Sequence, residues 1–223
     1  MNAGPSPKII RRARYLIPWA LSLGSSALQR RTPWLVYSAR DRIRPFLRHG
    51  TRVFEYGSGG STLWFADLGC EVVSIEHDGP WRQRVLDRLG PDQRGRVSLL
   101  LVPPRQADLL PPAPFVSTEP SFRGMSFQDY VSAIEKYPAG HFDVVLIDGR
   151  ARPDCLWPSW ERTRPGGLLV LDDSDRERYR AAMDRLPAEI REDHAGPAAC
   201  SRKFGQTTLW VKPGGSALAQ HPE

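Results

Sequence analysis

Short apolar runs alternate along the chain with amphipathic helical patterns, an order typical of an α/β domain with a mainly parallel sheet. The runs that predict strands are 52–56, 71–76, 97–102, 142–147 and 168–171. Two more strands, near 189–193 and 207–211, are expected to pair antiparallel. The pattern therefore predicts a seven-stranded sheet with helices on both faces and an antiparallel last strand.

Helices are predicted between these strands, where apolar residues recur at helical spacing. They are expected at about 33–49, 61–68, 81–89, 126–137, 153–162 and 174–186. A proline-rich stretch, 103–123, interrupts the pattern. A loop of this length is either a lid or binding loop, or a surface insertion, and both alternatives stay open.

The chain has 223 residues, a length that suits one domain with a full core. We expect residues 1–50 to form a basic helical segment that covers the active site. Residues 51–212 are expected to form the main domain, and residues 213–223 a disordered tail.

A glycine-rich turn follows the first predicted strand, in the sequence Val53-Phe54-Glu55-Tyr56-Gly57-Ser58-Gly59-Gly60-Ser61. Glycines let the backbone turn sharply and leave room for a ligand. About 20 residues later, Glu76 ends the second strand, where a nucleotide ribose presents its hydroxyls. Thr62 stands where a dinucleotide motif needs its third glycine, and no P-loop sequence is present. These features favour a nucleoside ligand without a pyrophosphate.

Carboxylates follow four of the predicted parallel strands. They are Glu55, Glu76, Asp148 and the pair Asp172 and Asp173. In an open parallel sheet the ligand lies beyond the carboxyl ends of the strands. Acids gathered at such an edge need a cation or ligand donors to offset their repulsion.

The glycine-rich turn resembles the first motif of class I S-adenosylmethionine (SAM) dependent methyltransferases, acidic-x-Gly-x-Gly-x-Gly, with Ser61 in the last glycine position. Residues 142–149 are similar to the family's fourth motif, and Arg164-Pro165-Gly166-Gly167 to the segment before its fifth strand. The likeness covers about 53–211 and is strongest to a bacterial branch with Glu-Tyr-Gly-Ser-Gly-Gly-Ser-Thr followed by Glu-His-Asp. It implies a Rossmann-like methyltransferase fold, with 51–212 as the SAM-binding domain.

The resemblance also implies roles for single residues. Glu55 would approach the methionine amino group, directly or through water, and Glu76 would take the ribose hydroxyls. His77 would line the adenine pocket, whereas Trp81 either lines it or packs its helix. Pro103 and Pro104 stand where the family commonly carries an acidic adenine contact. The implied cofactor-binding residues are Glu55, Gly57, Ser58, Gly59, Gly60, Ser61, Glu76, His77 and Asp148.

Asp148, Asp172 and Asp173 resemble the acids that hold a divalent ion in metal-dependent O-methyltransferases. Oxygen ligands of this kind suit Mg²⁺, which would lower the pKa of a substrate hydroxyl. In the alternative, Asp148 positions the substrate while Asp172 or Asp173 caps the following helix. Without a metal, Asp148 or His77 could take the proton.

The chain carries a net charge of +6, placed unevenly. Residues 1–50 hold ten basic residues against one acid, Asp41, so their net charge is +9 and that of the rest is −3. Such a segment could meet an anionic substrate, a membrane surface or nucleic acid, or it could reflect an arginine-rich coding bias. The apolar stretch 15–23 is too short to span a bilayer as a helix. Peripheral membrane contact through Trp19 and the arginines is a weaker alternative to a segment that covers the active site.

Three widely spaced cysteines indicate neither a disulfide framework nor a zinc site, so we expect a cytoplasmic protein. The predicted function is SAM-dependent O-methylation of a small hydroxylated molecule such as a sugar or natural product. Nucleic-acid methylation is a weaker alternative, because 148–151 lacks the Pro-Pro-aromatic sequence of adenine methylases and no Pro-Cys nucleophile is present. A catalytically silent binding protein is the third alternative.

Overall fold

The computed structural model describes residues 14–107, 115, 117 and 120–214. Most of the predicted tail and part of the proline-rich stretch lie outside the described residues. The strands are β1 (Arg52–Tyr56), β2 (Glu71–Glu76), β3 (Val97–Leu101), β4 (Arg105–Gln106), β5 (Met125–Ser126), β6 (Phe142–Ile147), β7 (Thr163–Asp172), β8 (Arg191–Pro197) and β9 (Phe204–Val211).

Seven of these strands form one sheet in the order β3-β2-β1-β6-β7-β9-β8. Neighbouring strands in the part β3-β2-β1-β6-β7 run parallel to each other. Strand β9 runs antiparallel to both of its neighbours, β7 and β8. The predicted seven-stranded sheet with an antiparallel last strand is therefore confirmed. The strands β4 and β5 form a separate two-stranded ribbon that joins the two ends of the proline-rich stretch.

The α-helices are α1 (Leu16–Ser22), α2 (Tyr37–Ile43), α3 (Gly60–Asp67), α4 (Gly79–Leu86), α5 (Pro91–Arg94), α6 (Gln128–Ser132), α7 (Arg152–Arg162) and α8 (Arg180–Met183). Short 3-10 helices occupy 44–46, 120–122, 133–136, 177–179 and 188–190. The helix predicted over 33–49 is shorter in the structure. Val36 forms a bridge with Ala198, which keeps the chain extended before α2, and Pro45 lies in a 3-10 turn.

Both faces of the sheet are covered, because alternate side chains of each strand point to opposite sides. In β1, Val53 joins a core with α2 and α3, whereas Phe54 and Tyr56 join a second core with α6 and α7. All three side chains are fully buried. Glu55 therefore points toward the side of α3.

The strand order reverses between β1 and β6, and the turns that follow these two strands touch there. Gly57 has a φ of +88°, and a Cβ atom built on it would lie 2.7 Å from the Cα atom of Gly149. A Cβ atom on Gly149 would lie 2.0 Å from the hydroxyl of Tyr130. Both glycines are therefore required by close backbone approach. This switch point is where open α/β sheets bind their ligands.

The N-terminal segment packs on the same region. A Cβ atom at Gly60, the first residue of α3, would lie 2.2 Å from the carbonyl oxygen of Thr32 and 2.5 Å from that of Ala27. Arg31 also donates to both carboxylate oxygens of Asp67, at 2.8 and 2.7 Å, near the end of α3. Residues 27–32 are thus fixed against α3 by backbone contact and by an ion pair.

Helix α1 lies against the loop between β8 and β9. Trp19 donates its indole N–H to the carbonyl of Ser201 at 2.7 Å and packs edge-on against Phe204. Leu16, Ile17 and Leu21 remain exposed on the other side of α1. Within 14–107 and 120–214, none of the helices has the length and apolar character that crossing a bilayer requires.

We predict that Gly60→Ala destabilises the fold whereas Gly59→Ala does not. The new methyl group at residue 60 would meet backbone carbonyls that cannot swing away, whereas at Gly59 the nearest atom, on Trp81, is 3.9 Å distant. Overpacking of this kind costs about 3 kcal/mol of unfolding free energy. Urea denaturation of both variants measures the difference, and equal stability of the two would contradict the packing of 27–32 on α3.

Candidate active site

A cavity of about 1030 Å³ opens at the carboxyl ends of β1, β2 and β6. The glycine-rich turn forms one wall, and the turns after β2 and β6 form two others. Of the predicted site residues, those that line the cavity are Gly57, Ser58, Gly59, Gly60, Ser61, Glu76, His77 and Asp148. Glu55, Asp172 and Asp173 lie outside the described lining.

Glu55 lies beneath the glycine-rich turn, with its side chain completely buried. Its Oε2 atom accepts hydrogen bonds from Thr62 Oγ1 at 2.5 Å and from Ser74 Oγ at 2.7 Å. Thr62 Oγ1 in turn accepts from the backbone N–H of Gly59 at 2.9 Å. Glu55 therefore stabilises the conformation of the glycine-rich turn, because Thr62 links it to the backbone of Gly59.

The second oxygen of Glu55 has no hydrogen-bond partner among the described residues, although it is buried. Burial raises the pKa of Glu55 to about 7, and the hydrogen bonds that Oε2 accepts from Thr62 and Ser74 oppose this rise. A buried oxygen without a donor carries a desolvation cost. The site thus holds an acceptor that a proton, a water or a ligand N–H would satisfy.

Glu76 is held as an ionised acceptor at the cavity wall. Its Oε2 atom accepts from the backbone N–H and the hydroxyl of Ser58, at 3.0 and 2.9 Å. Its Oε1 atom accepts from the N–H groups of His77 and Asp78, at 2.7 and 3.0 Å. Burial alone would raise the pKa of Glu76, but hydrogen bonds from His77, Asp78 and Ser58 outweigh it and the pKa is lowered. The carboxylate is therefore ready to accept hydroxyl hydrogens near neutral pH.

His77 is held between Glu76 and an arginine. Its Nδ1 atom lies 2.7 Å from Glu76 Oε1, and its Nε2 atom accepts from Nε of Arg150 at 3.2 Å. The ring also contacts Phe122 and Phe127, with centroid distances of 5.2 and 5.9 Å. This arrangement makes His77 part of an aromatic wall whose lone pair is already engaged.

Trp81 lies at the cavity wall and is held there from two sides. It lines the cavity, and its indole N–H donates to the carbonyl of Ser58 at 2.7 Å. Asp78 caps the start of α4 by accepting from the backbone N–H of Trp81 at 2.7 Å. The indole is therefore fixed at the cavity wall by the helix cap and by the glycine-rich turn.

Asp148, Asp172 and Asp173 surround the guanidinium of Arg152. The carboxylate oxygens of the three acids lie 2.9, 3.5 and 3.4 Å from its terminal nitrogens. Burial raises the pKa of Asp148 to about 6, against the pull of Arg152. Burial and the charge of Asp148 raise the pKa of Asp172 well above its ordinary value.

The predicted magnesium site is not supported by this arrangement. A guanidinium lies among the three acids, and no group of three or more potential ligands in the described part of the chain is arranged to hold a metal ion. The helix-cap alternative is not found either, because Arg176 precedes the next 3-10 helix and Tyr179 precedes α8. Asp172 instead accepts from Thr207 Oγ1 at 2.7 Å, and Asp173 pairs with Arg176.

Sequence reasoning missed Arg152 as the partner of these acids. The sequence places Arg152 four residues after Asp148, and this spacing brings the two side chains together at the start of α7. No motif marked the individual residues that line the cavity from distant parts of the chain, although four of them belong to the segment 1–50 that was expected to cover the active site. These lining residues are Ser26, Ala27, Leu28, Trp34, Tyr179 and Cys200.

No protein-family model and no curated protein matches the chain. Several solved structures do resemble it. A proposed rRNA methylase from Clostridium thermocellum has a TM-score of 0.54 at 13% identity, covering 80% of this chain and 96% of that one. A methyltransferase from Geobacter sulfurreducens has a TM-score of 0.52 at 12% identity, covering 96% and 91%.

A methyltransferase-like protein from Silicibacter pomeroyi DSS-3 has a TM-score of 0.50 at 23% identity, covering 80% of this chain and 88% of that one. Likeness at these identities establishes the fold. The chain has the Rossmann-like fold of class I methyltransferases, as the glycine-rich motif predicted.

We predict that Glu55→Gln stabilises the ligand-free protein in a pH-dependent way. The pKa of Glu55 is about 7 in the folded state against an ordinary 4.5, so the folded chain keeps a proton that the unfolded chain loses. The contribution of Glu55 to stability therefore falls as the pH rises from about 4.5 to about 7. Glu55→Gln should be more stable than the wild type by roughly 3 kcal/mol at pH 8, with no gain below pH 4.5.

Urea unfolding at pH 4.5 and pH 8 measures this difference. Glu71→Gln, at an exposed glutamate of β2, is the matched control and should change stability little at either pH. An equal effect of Glu55→Gln at both pH values would show that burial does not hold the proton.

Proposed function

We propose that the protein is a SAM-dependent methyltransferase that acts on a hydroxyl group of a small molecule. The observation that carries this proposal is the gathering of eight motif residues around one cavity, with the ionised carboxylate of Glu76 among them. Cavities of about 300–1,000 Å³ hold drug-sized ligands. A volume of about 1030 Å³ has room for a nucleoside cofactor and a small acceptor together.

The wall fits the adenosyl part of SAM. Glu76 offers carboxylate oxygens to ribose hydroxyls, which would take the place of the hydrogen bonds from Ser58. His77 and Trp81 offer flat surfaces on which a base can stack. Gly59 leaves the cavity side of the turn open, since a Cβ atom on it would have no atom of the described residues closer than 3.9 Å.

The methionine part of SAM would lie over the turn that Glu55 supports. Because Glu55 is outside the described lining, we assign it the geometry of the turn, and a contact with the amino group through water. The unpartnered Oε1 atom fits this role, because it lacks the donor that such a water would supply.

Asp148 is the proposed base. When bound, SAM supplies a methyl group on a positively charged sulfur, and alignment with the acceptor oxygen contributes much of the rate. Asp148 lines the cavity, and burial places its pKa at about 6, close to the pH range in which a base works best. His77 is the weaker candidate, because its Nε2 lone pair already accepts from Arg150.

The charge distribution supports a small acceptor over nucleic acid. Three arginines of the basic N-terminal segment form ion pairs within the protein, Arg14 with Asp41, Arg31 with Asp67 and Arg42 with Glu192. Those guanidiniums are partly neutralised and less able to bind phosphates. Trp34, Phe115 and Phe122 add apolar surface to the cavity lining, which suits a small molecule.

Calorimetric titration with S-adenosylhomocysteine tests the cofactor. We predict saturable binding to the wild type and at least tenfold weaker binding to Gly59→Ala, since its methyl group projects toward the ligand. Gly205→Ala is the matched control, because this glycine also has room for a methyl group and lies outside the described cavity lining. No heat with the wild type, for either SAM or its demethylated product, would contradict both enzymatic hypotheses.

Methyl transfer from labelled SAM to a panel of hydroxylated small molecules tests the acceptor. We predict that the rate rises with pH through about 6, as Asp148 loses its proton, and that Asp148→Asn lowers it by a factor of about 100 or more. RNA and DNA belong in the same panel, with binding measured against salt. Label in nucleic acid would favour that alternative, and binding of SAM without any transfer would favour a silent binding protein.

A further inference from the structure

We propose that the outward side of α1, together with Phe204, is a docking surface for an anionic lipid bilayer. This surface, called the apolar face below, consists of Leu16, Ile17, Ala20, Leu21 and Phe204. All five residues lie outside the described cavity lining. Binding of lipid there is therefore independent of the proposed function.

Helix α1 is fixed to the rest of the protein by the opposite side. The backbone N–H of Cys200 donates to Ser22 Oγ at 2.8 Å, and the hydroxyl of Tyr37 donates to the carbonyl of Pro18 at 3.1 Å. The indole of Trp19 adds the hydrogen bond to the loop between β8 and β9 described above. These contacts set the orientation of the helix and leave its other side outward.

The outward side of α1 is apolar. Leu16, Ile17 and Leu21 are 44%, 73% and 69% exposed, and Phe204, which packs against Trp19, is 58% exposed. A helix on a protein surface usually has the reverse arrangement, with its apolar stripe buried and its polar side in water. Neighbouring exposed apolar side chains of this kind mark a surface that binds a partner.

Basic side chains border the apolar face. The guanidinium of Arg30 donates to the carbonyl of Leu21, at the end of α1. Arg202 and Lys203 directly precede Phe204, are exposed, and form no ion pair within the described part of the chain. In the sequence, the first 40 residues include seven basic residues and no acidic one. Exposed apolar side chains flanked by basic ones are typical of protein segments that bind anionic membrane surfaces.

Two other occupants suit the apolar face less well. A second copy of the chain would bring together two basic segments, each with a net charge of +9, and these repel each other. A protein partner would meet no polar side chain at 16–18, 20 or 21, whereas protein interfaces combine apolar contacts with about ten hydrogen bonds. The acyl region of a bilayer needs no hydrogen-bonding partner, and its anionic headgroups match the basic border.

Co-sedimentation of the full chain with lipid vesicles tests the proposal. Vesicles of phosphatidylglycerol and phosphatidylcholine in equal parts provide an anionic surface, and vesicles of phosphatidylcholine alone provide a neutral one. We expect saturable binding to the anionic vesicles and at least tenfold weaker binding to the neutral ones. Added salt should weaken the binding without abolishing it, because salt screens the charges and leaves the apolar contribution.

Paired substitutions separate the apolar contribution from the charge. Ile17→Ser with Leu21→Ser should lower the affinity for anionic vesicles at least tenfold, because the lost side chains no longer leave water. Ile17→Phe with Leu21→Phe keeps the face apolar and should retain binding. Leu100→Ser with Leu101→Ser, at two half-exposed leucines of β3, is the matched control and should bind like the wild type. The melting temperature of each variant shows whether it is folded.

Arg202→Gln with Lys203→Gln tests the basic border. The pair should lower the affinity for anionic vesicles about tenfold and leave the weak binding to neutral vesicles unchanged, since each basic residue near an anionic surface contributes about 1 kcal/mol. An equal loss on both kinds of vesicle would contradict a role of these charges.

Two results would overturn the proposal. One is a wild type that binds neither kind of vesicle. In that case, a dimer in sedimentation velocity that Ile17→Ser with Leu21→Ser separates would assign the apolar face to a second copy. The other is binding to anionic vesicles that this serine pair leaves unchanged, which would show attraction by charge alone. Neither result affects the test with S-adenosylhomocysteine, which reports on the wall formed by Gly59 and Glu76.

Discussion

At the point where the strand order reverses, the backbones of Gly57 and Gly149 lie so close that neither position has room for a side chain. This contact brings together the turns that follow β1 and β6. Ser58 and Glu76 then form one side of the cavity, and Asp148 forms the other. Everything proposed for the cofactor and for the acceptor depends on this distance between two stretches of main chain.

Carboxylates gathered at one edge of a sheet repel one another, and the protein offsets this repulsion in three ways. Glu55 is surrounded by hydroxyl groups, and burial raises its pKa to about 7. Glu76 is surrounded by backbone N–H groups and remains ionised. The third solution is Arg152, which lies among the acids after β6 and β7. At Glu55 burial outweighs the donors, whereas at Glu76 the donors outweigh burial, and this balance separates a carboxylate that holds a proton from one that accepts ligand hydrogens.

Much of the fold could be predicted because apolar runs and strand-end acids are local features. The sheet, its antiparallel last strand and the glycine-rich wall all follow from them. The wrong expectation concerned Asp172 and Asp173, whose partner is set by how α7 begins and not by their own spacing. Ala151 has a φ of +48° directly before Arg152, a backbone conformation that side-chain patterns do not encode. The buried position of Glu55 likewise depends on hydrogen bonds from Thr62 in α3 and Ser74 in β2, two elements that are separate in the sequence.

The contact between Gly60 and residues 27–32 limits which sequence changes homologues can accept in this segment. Carbonyl oxygens of Ala27 and Thr32 meet α3, so the path of this segment is fixed while most of its side chains are not. Leu28 and Trp34 also face the cavity from the same stretch. Point substitutions here can reshape the pocket for a different proposed acceptor, whereas insertions and deletions would disturb the turn on which the proposed methyl donor lies. Homologues that keep the length of 26–34 and vary its composition would have exchanged substrates without rebuilding the nucleoside end.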